Sequence, residues 1–372
     1  MFLFYRRPVL KRDLLVCEEF FVAKRKVCVL GATGTVGQRF LSLLENHPWF
    51  EVVEITASER SAGRRYEEAA NWILPGEVPE YVKKMEISPT NPEIVEGVDI
   101  LFSALPSDVA RKVEMKFASK GMVVSSNASA NRMELDVPLV IPEVNPDHLS
   151  LIDIQKKKRD MDGFVVTNPN CTTIPLAMVL KPLNDVFGVA EVFVASMQAV
   201  SGAGLPGVAS LNIFDNVIPW ISGEEEKVEK ETLKLLGKVG SEGAEPAGFK
   251  IATSCNRVPT IDGHLECVFV RLEREVNLSE VGKILRNFRG EPQDLKLPMA
   301  PENPIIVREE VDRPQTRMDR DAGKGMSVSV GRIRKGVDEK SIRLVLLGHN
   351  TIRGAAGAAL LNAELVVAKS MV

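Results

Sequence analysis

Histidine and cysteine are both scarce in this chain, and their scarcity narrows the chemistry. Its 372 residues include four histidines (His47, His148, His264 and His349) and five cysteines, at positions 17, 28, 171, 255 and 267. The cysteine count is odd, no CxxC occurs, and the spacings suit neither a zinc site nor a small disulfide scaffold. No metal is therefore expected, and unpaired thiols point to a reducing compartment, the cytoplasm. There is also no apolar run of about 18 residues, so no membrane span is expected. A formal net charge of −3 gives no basic footprint for nucleic acid. With 45% hydrophobic and 26% charged residues, the composition is that of a globular protein, and the length suits two domains of roughly 150 residues or more.

What is present begins after "MFLFYRRPVLKRDLLVCEEFFVAKRK". That stretch lacks the basic-then-apolar order and the cleavage site of a signal peptide. Residues 1–25 read as an N-terminal extension of uncertain order, with no function assigned. From Lys26 strands alternate with helices: "KVCVL", "EVVEITAS", "VDILFSAL", "MVVSSN" and "FVVTN" are short apolar runs. "QRFLSLLENH" and "SDVARKVEMKFASKG" carry apolar residues at helical spacing. This order predicts a doubly wound parallel sheet. After Cys171 the texture changes. One helix, "TTIPLAMVLKPLNDVFG", precedes five alternating stretches (190–200, 249–260, 264–273, 325–334 and 341–348), which predict a mostly antiparallel sheet with one covered face. Helices are expected near 223–239 and 278–289. The proline-rich 292–314 segment reads as a surface excursion, and the chain closes in an Ala-rich helix.

Two short segments carry chemistry. "GATGTVG" (31–37) follows a strand and opens a helix, the context in which a glycine loop cradles a pyrophosphate. Gly31 allows the tight turn, Gly34 the approach of a phosphate, and Gly37 the packing of helix on strand. An ordinary strand–turn–helix connection is the alternative. The second strand ends "TASERSAGRR", where Glu59 favours a ribose 2′-hydroxyl while Ser58 and Arg60 favour a 2′-phosphate; the balance leans to NADP. The other segment is "TNPNCTT" (167–173). Cys171 stands at the start of a predicted helix, whose dipole should lower its pKa, and the amides of Thr172 and Thr173 are expected to be free for an oxyanion. A cysteine simply packed under the sheet remains the alternative. In "NRVPTIDGHLECV", Asp262-Gly263 reads as a tight turn between two strands, bringing Arg257 and His264 near the ends facing that turn. His264 is the best base candidate, and Arg257 is suited to clamp a carboxylate. "GEEEKVEKETLK" alone reads as a solvated helix face.

Taken in order, "GATGTVG", "NPNCTT", "QAVSGAG" and "NRVPTIDGH" resemble the aspartate-β-semialdehyde dehydrogenase family of the archaeal and fungal type. "SNASANRM", "IPWISGEEEKVEKET" and "HNTIRGAAGAA" fit the same family. The resemblance runs from about Lys26 to the C-terminus. It implies an α/β fold like glyceraldehyde-3-phosphate dehydrogenase. A Rossmann-like NADP-binding domain (26–170 and 350–372) would be joined to an α+β catalytic and oligomerisation domain (171–349). It also implies NADPH-dependent reductive dephosphorylation of aspartyl 4-phosphate through a cysteine thioacyl intermediate, a step feeding lysine, threonine, methionine and isoleucine synthesis. By the same resemblance Cys171 is the nucleophile, His264 the general acid/base, and Gln198 orients the acyl group. Arg257 grips the α-carboxylate, Glu224 the amino group, and Lys227 and Arg132 the phosphate. Gly31, Thr33, Gly34, Thr35, Val36, Gly37, Ser58, Arg60, Ser61, Ser103, Gly202 and Asn350 form the implied NADP set. The expected assembly is a homodimer or homotetramer, with no nucleic-acid or membrane partner. Malonyl-CoA reductase is the nearest rival. N-acetyl-γ-glutamyl-phosphate reductase, which usually has "NPGCY" here, and a redox-sensing NADP-binding regulator are further ones.

Overall fold

The computed structural model describes residues 24–372, so nearly all of the expected N-terminal extension lies outside the described residues. Six parallel strands form the first sheet: β1 (Arg25–Leu30), β2 (Phe50–Ala57), β3 (Ser88–Pro89), β4 (Ile100–Ser103), β5 (Val123–Ser126) and β6 (Phe164–Thr167), in the order β3-β2-β1-β4-β5-β6. Successive residues of β1 point to opposite faces, and both faces are buried. Val27 and Val29 enter one core, with Phe40 and Leu41 of α1 (Thr35–Leu44). Cys28 and Leu30 enter the other, with Ala110, Phe117 and Ala118 of α2 (Ser107–Ser119). Burial on both sides is why these strands read as continuous apolar runs. A third helix, α3 (Leu151–Arg159), leads into β6. The doubly wound parallel sheet is present as expected.

After β6 the chain forms α4 (Thr173–Phe187) and β7 (Val189–Gln198), then α5 (Glu224–Leu235). A two-residue ribbon follows, β8 (Lys238–Val239) and β9 (Ala244–Glu245). Next come β10 (Lys250–Arg257), β11 (His264–Leu272), α6 (Leu278–Asn287), β12 (Ile305–Val307), β13 (Val328–Lys335) and β14 (Ser341–Gly348). The second sheet has the order β10-β7-β11-β14-β13-β12. Its three central pairings are antiparallel, while both edges, β10 on β7 and β12 on β13, are parallel. Val192 and Val194 of β7 face the helices of the second core, whereas Phe193 between them is 52% exposed on the other face. One face is covered and the other open, as the alternation predicts.

Two expectations need correction. The segments around Asp262-Gly263 do not form a hairpin, because β7 lies between β10 and β11 and pairs with both. The 258–263 connection therefore passes over the end of β7. It still leaves Arg257 and His264 at one end of the sheet, because Arg257 pairs with Gln198 and Leu265 with Met197. Nor is 292–314 a mere surface excursion. Leu297 enters the first core, Ile305 of β12 the second, and the Met299 amide donates to the buried Glu364 carboxylate at 3.0 Å. Its prolines interrupt regular structure without preventing burial.

The chain returns to the first sheet at its end. A π-turn (Ile352–Ala356) leads into α7 (Gly357–Ala368), whose first ten residues are all buried. Its Ala359 carbonyl accepts from Ser125 Oγ of β5 at 2.9 Å, and its Leu360, Leu361 and Leu365 complete the first core. A helix apolar all round belongs inside a core. At the junction, Arg353 donates to both carboxylate oxygens of Glu143 at 2.9 and 2.6 Å, with both side chains wholly buried. Breaking such a pair costs about 3–5 kcal/mol, because a lone buried charge is left behind.

Candidate active site

The functional groups gather where the two sheets meet, around a cleft of about 1220 Å³. One end is the glycine loop. Gly31 has φ +79°, and a Cβ there would stand 2.9 Å from the Ala104 carbonyl oxygen, so only glycine brings β1 this close to the end of β4. A side chain on Gly37 would overlap the Gly31 carbonyl, so that glycine lets α1 sit on its own strand turn. The N-terminus of α1 has no side-chain cap, and Thr35 Oγ1 is buried without a partner. Uncapped amides and an orphaned hydroxyl at a helix start, facing a large cleft, fit the pyrophosphate of a dinucleotide.

Gly31, Thr33, Gly34, Thr35, Val36, Ser58, Gly202 and Asn350 line this cleft, as do Arg132 and Cys171. Gly37 lies beneath it as a packing residue, and Ser103 is fully buried at the end of β4. Arg60 and Ser61 do not line it; Glu59, Thr90 and Asn91 do, beside Ser58. Arg60 is exposed in the turn after β2, which the Ser61 amide closes on the Ser58 carbonyl.

At the other end Cys171 Sγ lies 3.2 Å from His264 Nε2. The Ala199 amide donates to His264 Nδ1 at 3.1 Å. That nitrogen therefore presents its lone pair, and the proton of the neutral ring sits on Nε2, facing sulfur. Burial, then the nearby charges of Arg257 and His349, press the His264 pKa down to about 3. The neutral ring thus turns its N–H toward Cys171 in this arrangement. The Ala199 carbonyl accepts from Arg257 at 2.7 Å, so one residue after β7 orients both side chains.

The expectation of a lowered thiol pKa also fails. Desolvation, followed by the Glu224 carboxylate, pushes Cys171 up to about 12, against the opposing pull of Arg132 and Arg257. The helix start gives little relief, because its amides are occupied. Asn170 Oδ1 accepts from the amides of Thr172 at 2.8 Å and Thr173 at 3.3 Å, capping α4. These are the two groups expected to be free for an oxyanion.

Around this pair, Gln198 ends β7 fully buried, with its Nε2 donating to Ser196 Oγ at 3.2 Å. Gly202 packs tightly here, since a Cβ on it would lie 2.9 Å from the Arg257 guanidinium. Glu224 accepts from Asn170 Nδ2 at 2.9 Å, and Lys227 is 3.7 Å from the same carboxylate. Asn350 ties three loops, accepting from the Gly263 amide at 2.8 Å and donating to Ser201 Oγ at 2.7 Å. The acidic helix α5 is thus part of the site and not a solvated face. Sequence reasoning left Asn170 unassigned and missed Ala199, whose one signal is its place in "QAVSGAG" after a strand. Gly354 reads in the sequence as part of a small helix face for close packing, and its neighbour here is Cys171.

Among the described residues no cluster of histidine, cysteine or acidic side chains could hold a metal, and no helix is long and apolar enough to cross a membrane. The site combines a dinucleotide-sized cleft, a thiol against an imidazole, and buried cations beside them. Comparisons with known proteins bear on what that combination does. Residues 26–152 match the family described as semialdehyde dehydrogenase, NAD binding domain, and residues 180–353 match semialdehyde dehydrogenase, dimerisation domain. The aspartate-semialdehyde dehydrogenase of Methanothermobacter thermautotrophicus is 57% identical over 341 residues, covering 91% of this chain and 98% of its own. That of Archaeoglobus fulgidus is 58% identical over 346 residues, covering 93% and 99%. The malonyl CoA reductase (NADP) of Metallosphaera sedula is 43% identical over 351 residues, covering 93% and 98%. The crystal structure of the Candida albicans aspartate-semialdehyde dehydrogenase with NADP superimposes with a TM-score of 0.86 at 41% identity, covering 94% of this chain and all of that one. Both family matches, and identities above half over nearly the whole length, establish that the chain belongs to the semialdehyde dehydrogenase family.

Proposed function

We propose that this chain is an aspartate-semialdehyde dehydrogenase, reducing L-aspartyl 4-phosphate to L-aspartate 4-semialdehyde with release of phosphate. The observation that carries this reading is the Cys171–His264 contact of 3.2 Å at the end of a cleft that begins at the glycine loop. The Cys171 thiolate attacks the acyl carbon, forming a C–S bond, and the C–O bond to phosphate breaks. Arg132 and Lys227 offset the negative charge of the leaving phosphate. Arg257 pairs with the α-carboxylate as a fork, and Glu224 takes the α-amino group. Gly31, Thr33, Gly34, Thr35, Val36 and Ser58, which line the cleft, would hold NADPH, which when bound would supply hydride. The His264 Nε2–H hydrogen bond stabilises sulfur whenever it is anionic, both before attack and after the aldehyde leaves.

Glu224 beside Arg257 separates this reading from malonyl-CoA reductase, since malonyl-CoA has no amino group to occupy a buried carboxylate. The deciding assay compares phosphate-dependent NADP reduction with aspartate semialdehyde against malonyl-CoA-dependent NADPH oxidation. Turnover with the semialdehyde supports the proposal; turnover with malonyl-CoA alone overturns it.

The enzyme acts in the cytoplasm, in synthesis of the aspartate-derived amino acids. It assembles as a homodimer or homotetramer through the open face of the second sheet. There Phe193 and Phe269 meet at a tilt with ring centroids 6.2 Å apart and Cys267 is exposed, an apolar surface suited to a second copy.

A further inference from the structure

We infer that Glu231 is a positioning residue for this reaction, holding the peptide that precedes Cys171 and the guanidinium of Arg132 with a single carboxylate. The inference rests on the assignment of Cys171 as nucleophile and Arg132 as a substrate-side cation. Glu231 lies two turns beyond Glu224 on the same face of α5 and is 1% exposed. One oxygen accepts from Arg132 Nη1 at 2.9 Å and the other from the Asn170 amide at 2.6 Å. Neutralising a buried arginine needs only the first of these contacts. The second fixes the plane of the Pro169–Asn170 peptide, one residue before the nucleophile.

Asn170 is gripped from every side. Its amide goes to Glu231, its Nδ2 to Glu224, and its Oδ1 caps α4. Both carboxylates of one helix face therefore converge on a single residue, and through it on Sγ. Lys234, one turn after Glu231, donates to the Arg132, Glu134 and Val137 carbonyls at 2.7–2.8 Å, so α5 also fixes the backbone of the Arg132 loop. Arg132 donates as well to the Asn127 carbonyl at 2.6 Å, while its Nε is buried without a partner in a side chain that lines the cleft. It is held in place with its Nε–H unspent.

Removing the carboxylate therefore has two effects of opposite sign. The charged or titratable groups around Cys171 are His264 from β11, Arg257 from β10, Glu224 with Lys227 from α5, and Arg132 from the loop after β5. Loss of the Glu231 charge leaves Arg132 less compensated, which favours the thiolate. Loss of the bridge releases the Asn170 peptide, which misplaces sulfur for attack.

The test is Glu231→Gln, which keeps shape but can accept at only one of the two contacts. Iodoacetamide alkylation of Cys171 is followed against pH without substrate, alongside kcat, KM for phosphate and NADP binding. The expected result is an alkylation profile displaced to lower pH by about half a unit. With it, kcat falls roughly tenfold or more and NADP binding is unchanged. Unchanged kcat and profile would overturn the inference. So would slower alkylation at every pH together with weakened NADP binding, the mark of a merely structural role. Glu231→Asp provides the second arm. It keeps the charge but shortens the reach, so kcat should drop with the alkylation profile at its parental pH, and a displaced profile refutes the electrostatic half. Alkylation and NADP binding need no substrate, so this outcome stands apart from that of the semialdehyde assay.

Discussion

Gly354 sits in the π-turn where the chain returns to the first sheet, and its missing side chain is a demand of Cys171, the proposed nucleophile. A Cβ on Gly354 would lie 2.7 Å from Cys171 Cβ, 3.0 Å from Cys171 Cα and 3.2 Å from its carbonyl oxygen. Carbon atoms rest at about 3.5–4.0 Å, so the closest contact is short by roughly 1 Å. Neither partner yields easily. The Cys171 backbone is held by the Asn170 cap, and the Gly354 amide donates to the His349 carbonyl at 2.9 Å. Overpacking of this kind costs about 1–3 kcal/mol. Alanine recovers close to 1 kcal/mol over glycine in a helical segment, which leaves a net loss of roughly 0–2 kcal/mol. The catalytic cost is larger. Moving a reacting atom by about 1 Å lowers the rate on the order of 100-fold, or roughly 2.7 kcal/mol of barrier.

Gly354→Ala should therefore fold, melt within a few degrees of the parent, and lose most of its kcat. The assay is NADP reduction with aspartate semialdehyde and phosphate, paired with a thermal melt. Gly357→Ala, one turn further on, is the control. Its new Cβ would meet Met326 Sδ at 2.5 Å, the far end of a flexible side chain, and Ile352 rather than the nucleophile. It should change stability and leave kcat near the parent value. A Gly354→Ala enzyme with kcat within about twofold of the parent refutes the reasoning.

Cys171→Ala should abolish turnover while NADP still binds, measured by steady-state kinetics and by titration of nucleotide fluorescence; retained turnover would remove the thiol from the mechanism. His264→Asn should slow turnover greatly yet leave Cys171 open to iodoacetamide, because burial and nearby charge, not the imidazole, set most of the thiol's acidity; unchanged kinetics would show that the ring does nothing. Since desolvation and Glu224 push the Cys171 thiol up to about 12, the thiolate fraction in the free enzyme keeps growing as pH rises. Alkylation should climb through pH 9 without levelling, and a plateau below about pH 8 contradicts the buried, unactivated thiol. On the open face of the second sheet, Phe269→Asp should shift the assembly toward monomer in sedimentation or light scattering, and an undisturbed oligomer places the interface elsewhere.

The alternation of "KVCVL", "VDILFSAL" and "FVVTN" with helical repeats was enough to read a doubly wound sheet. A strand buried on both faces must be apolar throughout, and that requirement is written in consecutive residues. The same locality made "GATGTVG" legible, because its glycines answer to contacts within a few residues, such as Gly37 against the Gly31 carbonyl. Cys171, His264 and Arg257 could be named from their segments. Their states could not, and the same holds for Arg60. The direction of a side chain leaving the turn after β2 depends on how that turn closes, and the sequence holds only its composition.

What the sequence determined by itself was the set of elements and the nucleotide loop, each encoded within a short window. Tertiary structure alone decided that β7 divides β10 from β11 and that α5 turns its carboxylates onto Asn170. It also decided that the Ala199 amide puts the His264 proton on the sulfur side and that desolvation outweighs the helix dipole at Cys171. Each of these depends on groups far apart in the chain, where pairing order, burial and hydrogen-bond direction are set by the packed whole.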